Sequence, residues 1–158
     1  MNKYIAELIG TFALVFCGTG AIVINQQSGG VVTHVGIAIT FGFIVMAMIY
    51  SLGDISGAHM NPAVTIAFTI AKRLPIQQVS PYIISQLAGA FLVSITLKYL
   101  FPADETLGAT LTSGTEMQSF ILEFILTFFL MPVIIKVATR SKEQGIFAGL
   151  AIGSTVLI

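Results

Sequence analysis

The sequence predicts an all-α membrane protein of about five transmembrane helices plus one re-entrant half-helix, arranged as an incomplete inverted repeat. Three observations carry this. Four runs almost free of charge, Tyr4–Asn25, Val35–Gly53, Val79–Leu100 and Phe120–Val137, each approach the ~20 residues that cross a ~30 Å hydrocarbon core. Between the second and third lies "DISGAHMNPAVTIAF" (Asp54–Phe68), too broken to continue a span and too short to make one. A Glu-bearing pattern then recurs, "AELIGTF" (Ala6–Phe12) against "LEFILTF" (Leu122–Phe128). Composition agrees: 56% of residues are hydrophobic and 9% charged, which excludes an ordinary soluble domain. Zero net charge and the lack of a basic cluster exclude nucleic acid as a partner.

The first span is not a cleavable signal peptide. It is too long for a signal h-region, holds Glu7 and offers no small-residue cleavage site. Cys17 lies mid-span without a mate, so it reads as a small packing residue and not as half of a disulfide. Basic residues set the orientation: Lys3, Lys72, Arg73, Lys136, Arg140 and Lys142 fall on one side. The 102–115 connection carries Asp104 and Glu105 and no Lys or Arg, with Lys98 close enough to a helix end to snorkel. The N-terminus is therefore expected in the cytoplasm and the 102–115 loop outside.

That orientation makes everything between Gly53 and Val79 a cytoplasmic connection, yet Ala63–Ala71 is apolar except for two threonines. Ten helical residues reach only ~15 Å, about half the hydrocarbon thickness. A surface-lying helix needs a polar stripe, which is nearly missing here. A half-helix over 62–72 that dips into the protein and returns fits better. Asn61 suits the N-cap, Pro62 the first helical position, and Lys72–Arg73 a C-terminus at the interface. Asp54–Met60 would descend as extended chain to about the midplane, with Gly57 supplying backbone freedom. Backbone carbonyls at that depth need water or solute, which argues for a pore. A cytoplasmic loop with a short packing helix is the alternative.

The repeat continues: "GIAI" (Gly36–Ile39) matches "GLAI" (Gly149–Ile152) at nearly the offset of the Glu pair. The units then divide as a first repeat over 1–101, an outer loop over 102–115 and the start of a second repeat over 116–158. Extending the offset puts a second half-helix in roughly the low 170s, past Ile158, so the chain is expected to hold about three-quarters of the architecture. Glu7 and Glu123 are costly inside spans. They could transfer protons or bind ions, or each could brace one re-entrant loop, and their symmetric placement favours bracing. His59 has only Asp54 nearby as a second potential ligand, so a hydrogen-bonded ring is expected in place of a metal site or proton relay. His34, in a polar outer loop, carries no signal.

These motifs resemble the aquaporin and aquaglyceroporin (major intrinsic protein) family. The resemblance rests on "AELIGTF…GTGAIVIN", "YSLGDISGAHMNPAVTIAF", "YIISQLAG" and "SFILEFILTFFLMPVIIKVATR…AGLAIGSTVLI", and it covers the whole chain. The last two blocks look most like the nodulin-26-like branch, whose members pass water, glycerol and small neutral hydroxides such as boric, silicic and arsenous acids. The resemblance implies an aquaporin-like fold truncated before the second Asn-Pro-Ala box, a homotetramer in the plasma (inner) membrane, and passive transport without cofactor, metal or enzymatic chemistry. It makes Asn61, Pro62 and Ala63 the first Asn-Pro-Ala box, with the Asn61 amide donating to a permeating molecule. Gly57, Ala58 and His59 match positions whose carbonyls form an acceptor ladder, opposite apolar walls such as Val64 and Ile66. Phe41 matches the second-span position of the outer constriction. That position is often Phe in water-selective members and Trp, Gly or Ala in glycerol and nodulin-26-like channels, so this residue and the branch point in different directions. Asp54 stands where many relatives have His, as a solvated rim charge or a gating partner for Lys72 or Arg73. Pro132 could kink the fourth span. A non-conducting membrane remnant or assembly partner is the alternative function, and an ion-coupled transporter relying on Glu7 and Glu123 comes after it.

Overall fold

The computed structural model describes residues 1–138 and 146–157. Among these the chain is helical, with no strand. α1 (Lys3–Gln27) and α2 (Thr33–Ser56) form the first pair, and the short α3 (Pro62–Ile70) follows. A 3-10 turn (Ile76–Gln78) leads into α4 (Val79–Leu100), then come α5 (Glu116–Ala138) and α6 (Ala148–Val156). Among the described residues four helices are long and apolar enough to cross a membrane: Lys3–Gln27, Thr33–Ser56, Ile76–Leu100 and Glu116–Ala138. Gly145 and Ile158, the limits of the fifth apolar run, lie outside the described residues, as do Arg140 and Lys142 of the orientation argument.

The run Val79–Leu100 coincides with α4, while α1, α2 and α5 exceed their runs by a few residues, as helical hydrogen bonding continues through Gln26 and Gln27 on α1 and through Ile55 and Ser56 on α2. Pro132 sits inside α5, which remains one helix from Glu116 to Ala138. Large apolar side chains such as Phe91 and Tyr99 on α4 and Phe120, Phe124 and Phe128 on α5 are exposed. That distribution suits a bilayer, where the solvent is as apolar as the side chains and close helix packing supplies the cohesion.

Close packing occurs at glycines. A Cβ on Gly89 of α4 would lie 2.5 Å from the Leu8 carbonyl oxygen of α1, so the two backbones nearly touch. α2 and α6 meet reciprocally: a Cβ on Gly42 would lie 2.7 Å from the Gly153 carbonyl, and one on Gly153 would lie 2.6 Å from the Gly42 carbonyl. Small residues at such crossings let dispersion contacts and weak backbone contacts replace the hydrophobic effect that lipid removes. Lys98 donates from Nζ to the carbonyls of Pro102 (2.9 Å) and Asp104 (3.2 Å), tying the 102–115 connection to the end of α4.

The half-helix ends earlier than its charges suggested. α3 stops at Ile70, and Lys72 takes a left-handed backbone with φ 58°. Arg73 N–H then bonds the Phe68 carbonyl (2.8 Å) and Lys72 N–H the Thr69 carbonyl (2.9 Å), the Schellman pattern that closes a helix. The basic pair therefore lies just past the helix and not in its last turn.

Candidate pore segment and its brace

At the C-terminus of α2 the chain turns sharply. Gly57 has φ 86°, Ala58 φ 46° and Met60 φ 49°. Left-handed backbone costs a non-glycine residue about 1–2 kcal/mol, so Ala58 and Met60 need outside support. Glu7 supplies it from α1 with a fully buried carboxylate. Oε1 accepts from Ser56 Oγ (2.7 Å) and His59 N–H (2.9 Å), and Oε2 accepts from Met60 N–H (2.7 Å) and Gln86 Nε2 (2.7 Å). Ser56 Oγ in turn accepts from Ala58 N–H (3.1 Å), and Tyr82 Oη donates to the Ser56 carbonyl (2.7 Å).

Four donors on one carboxylate account for the acidic residue buried in α1. Charge-assisted hydrogen bonds are roughly twice as strong as neutral ones, which offsets much of the cost of holding the group away from water. The arrangement also turns the N–H groups of His59 and Met60 toward α1 and that of Ala58 back onto Ser56 of α2. Among the described residues no donor is bonded to the carbonyls of Gly57, Ala58, His59 or Met60.

His59 is buried. Its Nδ1 lies 3.2 Å from Thr65 Oγ1, and its ring packs between Phe68 (4.6 Å between centroids) and Tyr82 (5.2 Å). Thr65 Oγ1 donates its one proton to the Asn61 carbonyl (3.1 Å) and accepts from Gln86 Nε2 (3.0 Å). Its remaining acceptor capacity is compatible with a proton on His59 Nδ1. Two buried polar atoms in this region, Thr11 Oγ1 and Gln86 Oε1, have no hydrogen-bond partner among the described residues.

Asn61 follows in extended conformation (φ −153°) as the N-cap of α3. Its Oδ1 accepts from Ala63 N–H (2.8 Å), and Pro62 occupies the first turn. With Oδ1 committed to the cap, the amide N–H groups of the exposed Asn61 side chain are left for another acceptor.

A cleft of about 1310 Å3 runs along these residues. Phe41, Gly57, Ala58, His59, Asn61 and Glu123 all line it, as do Pro62 and Val64. Glu7 and Ala63 stand behind the lining, one as the brace and one as the capped amide of α3. Ile66 is 46% exposed and does not line the cleft; the apolar wall on α3 is made by Val64 and Phe68 instead. Asp54 is exposed at the margin of the cleft and forms no ion pair with Lys72 or Arg73 among the described residues. Glu123 is exposed on α5, and its carboxylate bonds no other described residue. The network also includes Ser56, Thr65, Tyr82 and Gln86, which the sequence reading did not single out. Gln86 carried a usable signal, because an amide side chain within an apolar span demands a partner.

The major intrinsic protein family profile matches residues 1–158. The chain is 49% identical over 166 residues to aquaporin NIP1-2 of Arabidopsis thaliana, with all of this chain and 56% of that protein aligned. It is 45% identical over 159 residues to nodulin-26 of Glycine max, again over its full length and 59% of that protein. A third relative, putative aquaporin NIP4-1 of Arabidopsis thaliana, is 46% identical over 158 residues, with 99% of this chain and 56% of the relative aligned. The chain thus spans about half the length of the curated relatives it matches.

Proposed function

Because the chain belongs to the major intrinsic protein family, we propose that it forms part of a passive transmembrane channel for water and small neutral solutes. The observation that carries this reading is one lining surface with two chemistries. The Gly57–Met60 carbonyls lack partners among the described residues, and the Asn61 amide has donors to spare at the N-terminus of α3. A neutral molecule with hydroxyl groups would donate to the carbonyls and accept from Asn61, exchanging its hydration shell for fixed protein groups. Apolar side chains on the facing wall, such as Val45 and Val64, would leave an ion's charge uncompensated there.

In this reading Glu7 is a structural brace, since four donors already occupy it, and Glu123 has the matching role toward a second re-entrant segment. Residues 1–101 form the first repeat, 102–115 the outer loop, and the second repeat begins at 116. The N-terminus lies in the cytoplasm, the protein assembles as a homotetramer in the plasma or inner membrane, and transport needs no cofactor. The aquaporin names of the relatives support water as a solute; glycerol and metalloid hydroxides such as boric, silicic or arsenous acid are what the resemblance to the nodulin-26-like branch implies.

The test is solute flux in proteoliposomes carrying the protein expressed from its complete reading frame, with Asn61→Asp at equal protein density. The substitution keeps the cap acceptor but puts a charge where the amide donors were, so glycerol and boric acid flux should fall by about tenfold or more. Equal flux in the two proteins contradicts the assignment. Because the 158 residues span about half of the relatives, the chain reconstituted alone separates a second reading, a non-conducting assembly partner, which requires flux equal to empty vesicles.

A further inference from the structure

Phe41 lines the cleft from α2, and its ring rests directly on the backbone of α1 at Gly18. A Cβ built on Gly18 would overlap Cε1 and Cζ of that ring, with Cδ1 at 2.7 Å. Gly18 is itself buried, so the added atom has no solvent to turn toward. The next residue is tightly packed as well. Gly108 of the outer loop, at φ 73°, packs on Thr19 so tightly that a Cβ there would lie 3.0 Å from Thr19 Cα and nearer still to its carbonyl. The loop is held by Asp104 Oδ1, which accepts from Thr106 N–H (3.0 Å) and Leu107 N–H (2.7 Å), and by Lys98 Nζ on the Pro102 and Asp104 carbonyls. At residues 18 and 19, α1 is therefore in tight contact with both the Phe41 ring and the outer loop.

From this geometry we infer that Gly18 is a specificity-determining positioning residue: its missing side chain lets the Phe41 ring withdraw against α1 and so sets the width of the outer cleft. The inference rests on the channel reading above. Carbon atoms in contact sit roughly 3.5–4.0 Å apart, so a methyl group at position 18 must push the ring by at least about 1 Å. The tight contact of Gly108 with Thr19 resists movement of α1, and the ring itself lines the cleft. A shift of that size in a single-file passage excludes larger solutes before it excludes water. Gly20, two residues further along α1, provides the contrast: a Cβ there meets only Leu97 Cδ2 at 3.9 Å, an ordinary contact.

The experiment measures water and glycerol permeability of proteoliposomes holding the protein from its complete reading frame, as wild type, Gly18→Ala, Gly20→Ala, Phe41→Ala and Gly18→Ala/Phe41→Ala. Gly18→Ala should lower glycerol flux by about tenfold and water flux by less, and Gly20→Ala should stay within about twofold of wild type. Removing the ring removes the obstacle, so the double variant should match Phe41→Ala. Wild type no better than empty vesicles overturns the channel reading and takes this inference with it. A conducting wild type with unchanged Gly18→Ala flux, or equal losses of water and glycerol, overturns the inference alone. Should Gly18→Ala fail to insert, the last two variants decide: equal flux supports the role, and lower flux in the double variant overturns it.

Discussion

Met60 N–H points at Glu7 Oε2 across 2.7 Å, joining the last turn before Asn61 to a helix fifty-three residues earlier in the chain. The same carboxylate holds His59 N–H at 2.9 Å, so one side chain fixes two successive peptide groups of the cleft-lining segment. With those N–H groups turned toward α1, the carbonyls along the same segment have no donor among the described residues. Burial of Glu7, left-handed backbone at Met60 and the free carbonyls are thus one arrangement seen from three sides.

Replacing Glu7 by Gln tests that arrangement. The glutamine keeps one acceptor oxygen and turns an NH2 group toward donors that Glu7 had satisfied. Stranding one or two buried donors should cost about 2–5 kcal/mol. A marked drop in the unfolding temperature of the detergent-solubilised protein, together with loss of most solute flux, is expected. Stability equal to wild type contradicts the bracing role.

Gly57→Val addresses the backbone. At φ 86° a β-branched residue is strained, and a Cβ there would also meet His59 Nε2 at 3.2 Å. The substitution should leave the protein inserted in the membrane but shift the turn, lowering flux by about tenfold for a geometry built on fixed carbonyls. Flux within the scatter of wild type, at equal protein density, argues against Gly57 as part of the lining.

Gly89→Leu probes the α1–α4 contact, because the added side chain must enter a space already occupied by the Leu8 carbonyl, the Phe12 amide nitrogen and Thr11 Cβ. Overpacking of this kind typically costs about 1–3 kcal/mol. Since Glu7 and Gln86 bond across the same helix pair, the brace should loosen too. Amide hydrogen exchange should then accelerate at His59 and Met60 as well as on α4. Faster exchange on α4 alone would show that the two sites are not coupled.

Local chemistry was the most legible part of this sequence. Asn61 followed by Pro62 announces a helix start through capping and a pre-set φ, and α3 begins there. The end of α3 was harder to read. Lys72 looks like a helix-terminal cation, yet it occupies the left-handed position usually held by glycine, and no composition rule signals that choice. The run Val79–Leu100 matches α4, but the limits of α1 fell short because charge-free runs stop at polar residues such as Gln26, while backbone hydrogen bonding does not. Least legible was the polar network. Glu7, Ser56, Thr65 and Gln86 come from four separate helices, and only the folded chain brings their side chains within hydrogen-bond distance. The contact of Phe41 with Gly18 is equally non-local, since it depends on how α1 and α2 cross.

The most direct measurement is osmotic shrinkage of proteoliposomes carrying the protein expressed from its complete reading frame, followed by light scattering over a range of temperatures, pH values and sodium concentrations. A passive single-file channel should speed shrinkage about tenfold or more over empty vesicles, with a low activation energy and no dependence on sodium. Shrinkage no faster than empty vesicles at verified incorporation, or flux that requires a sodium or proton gradient, would contradict the account.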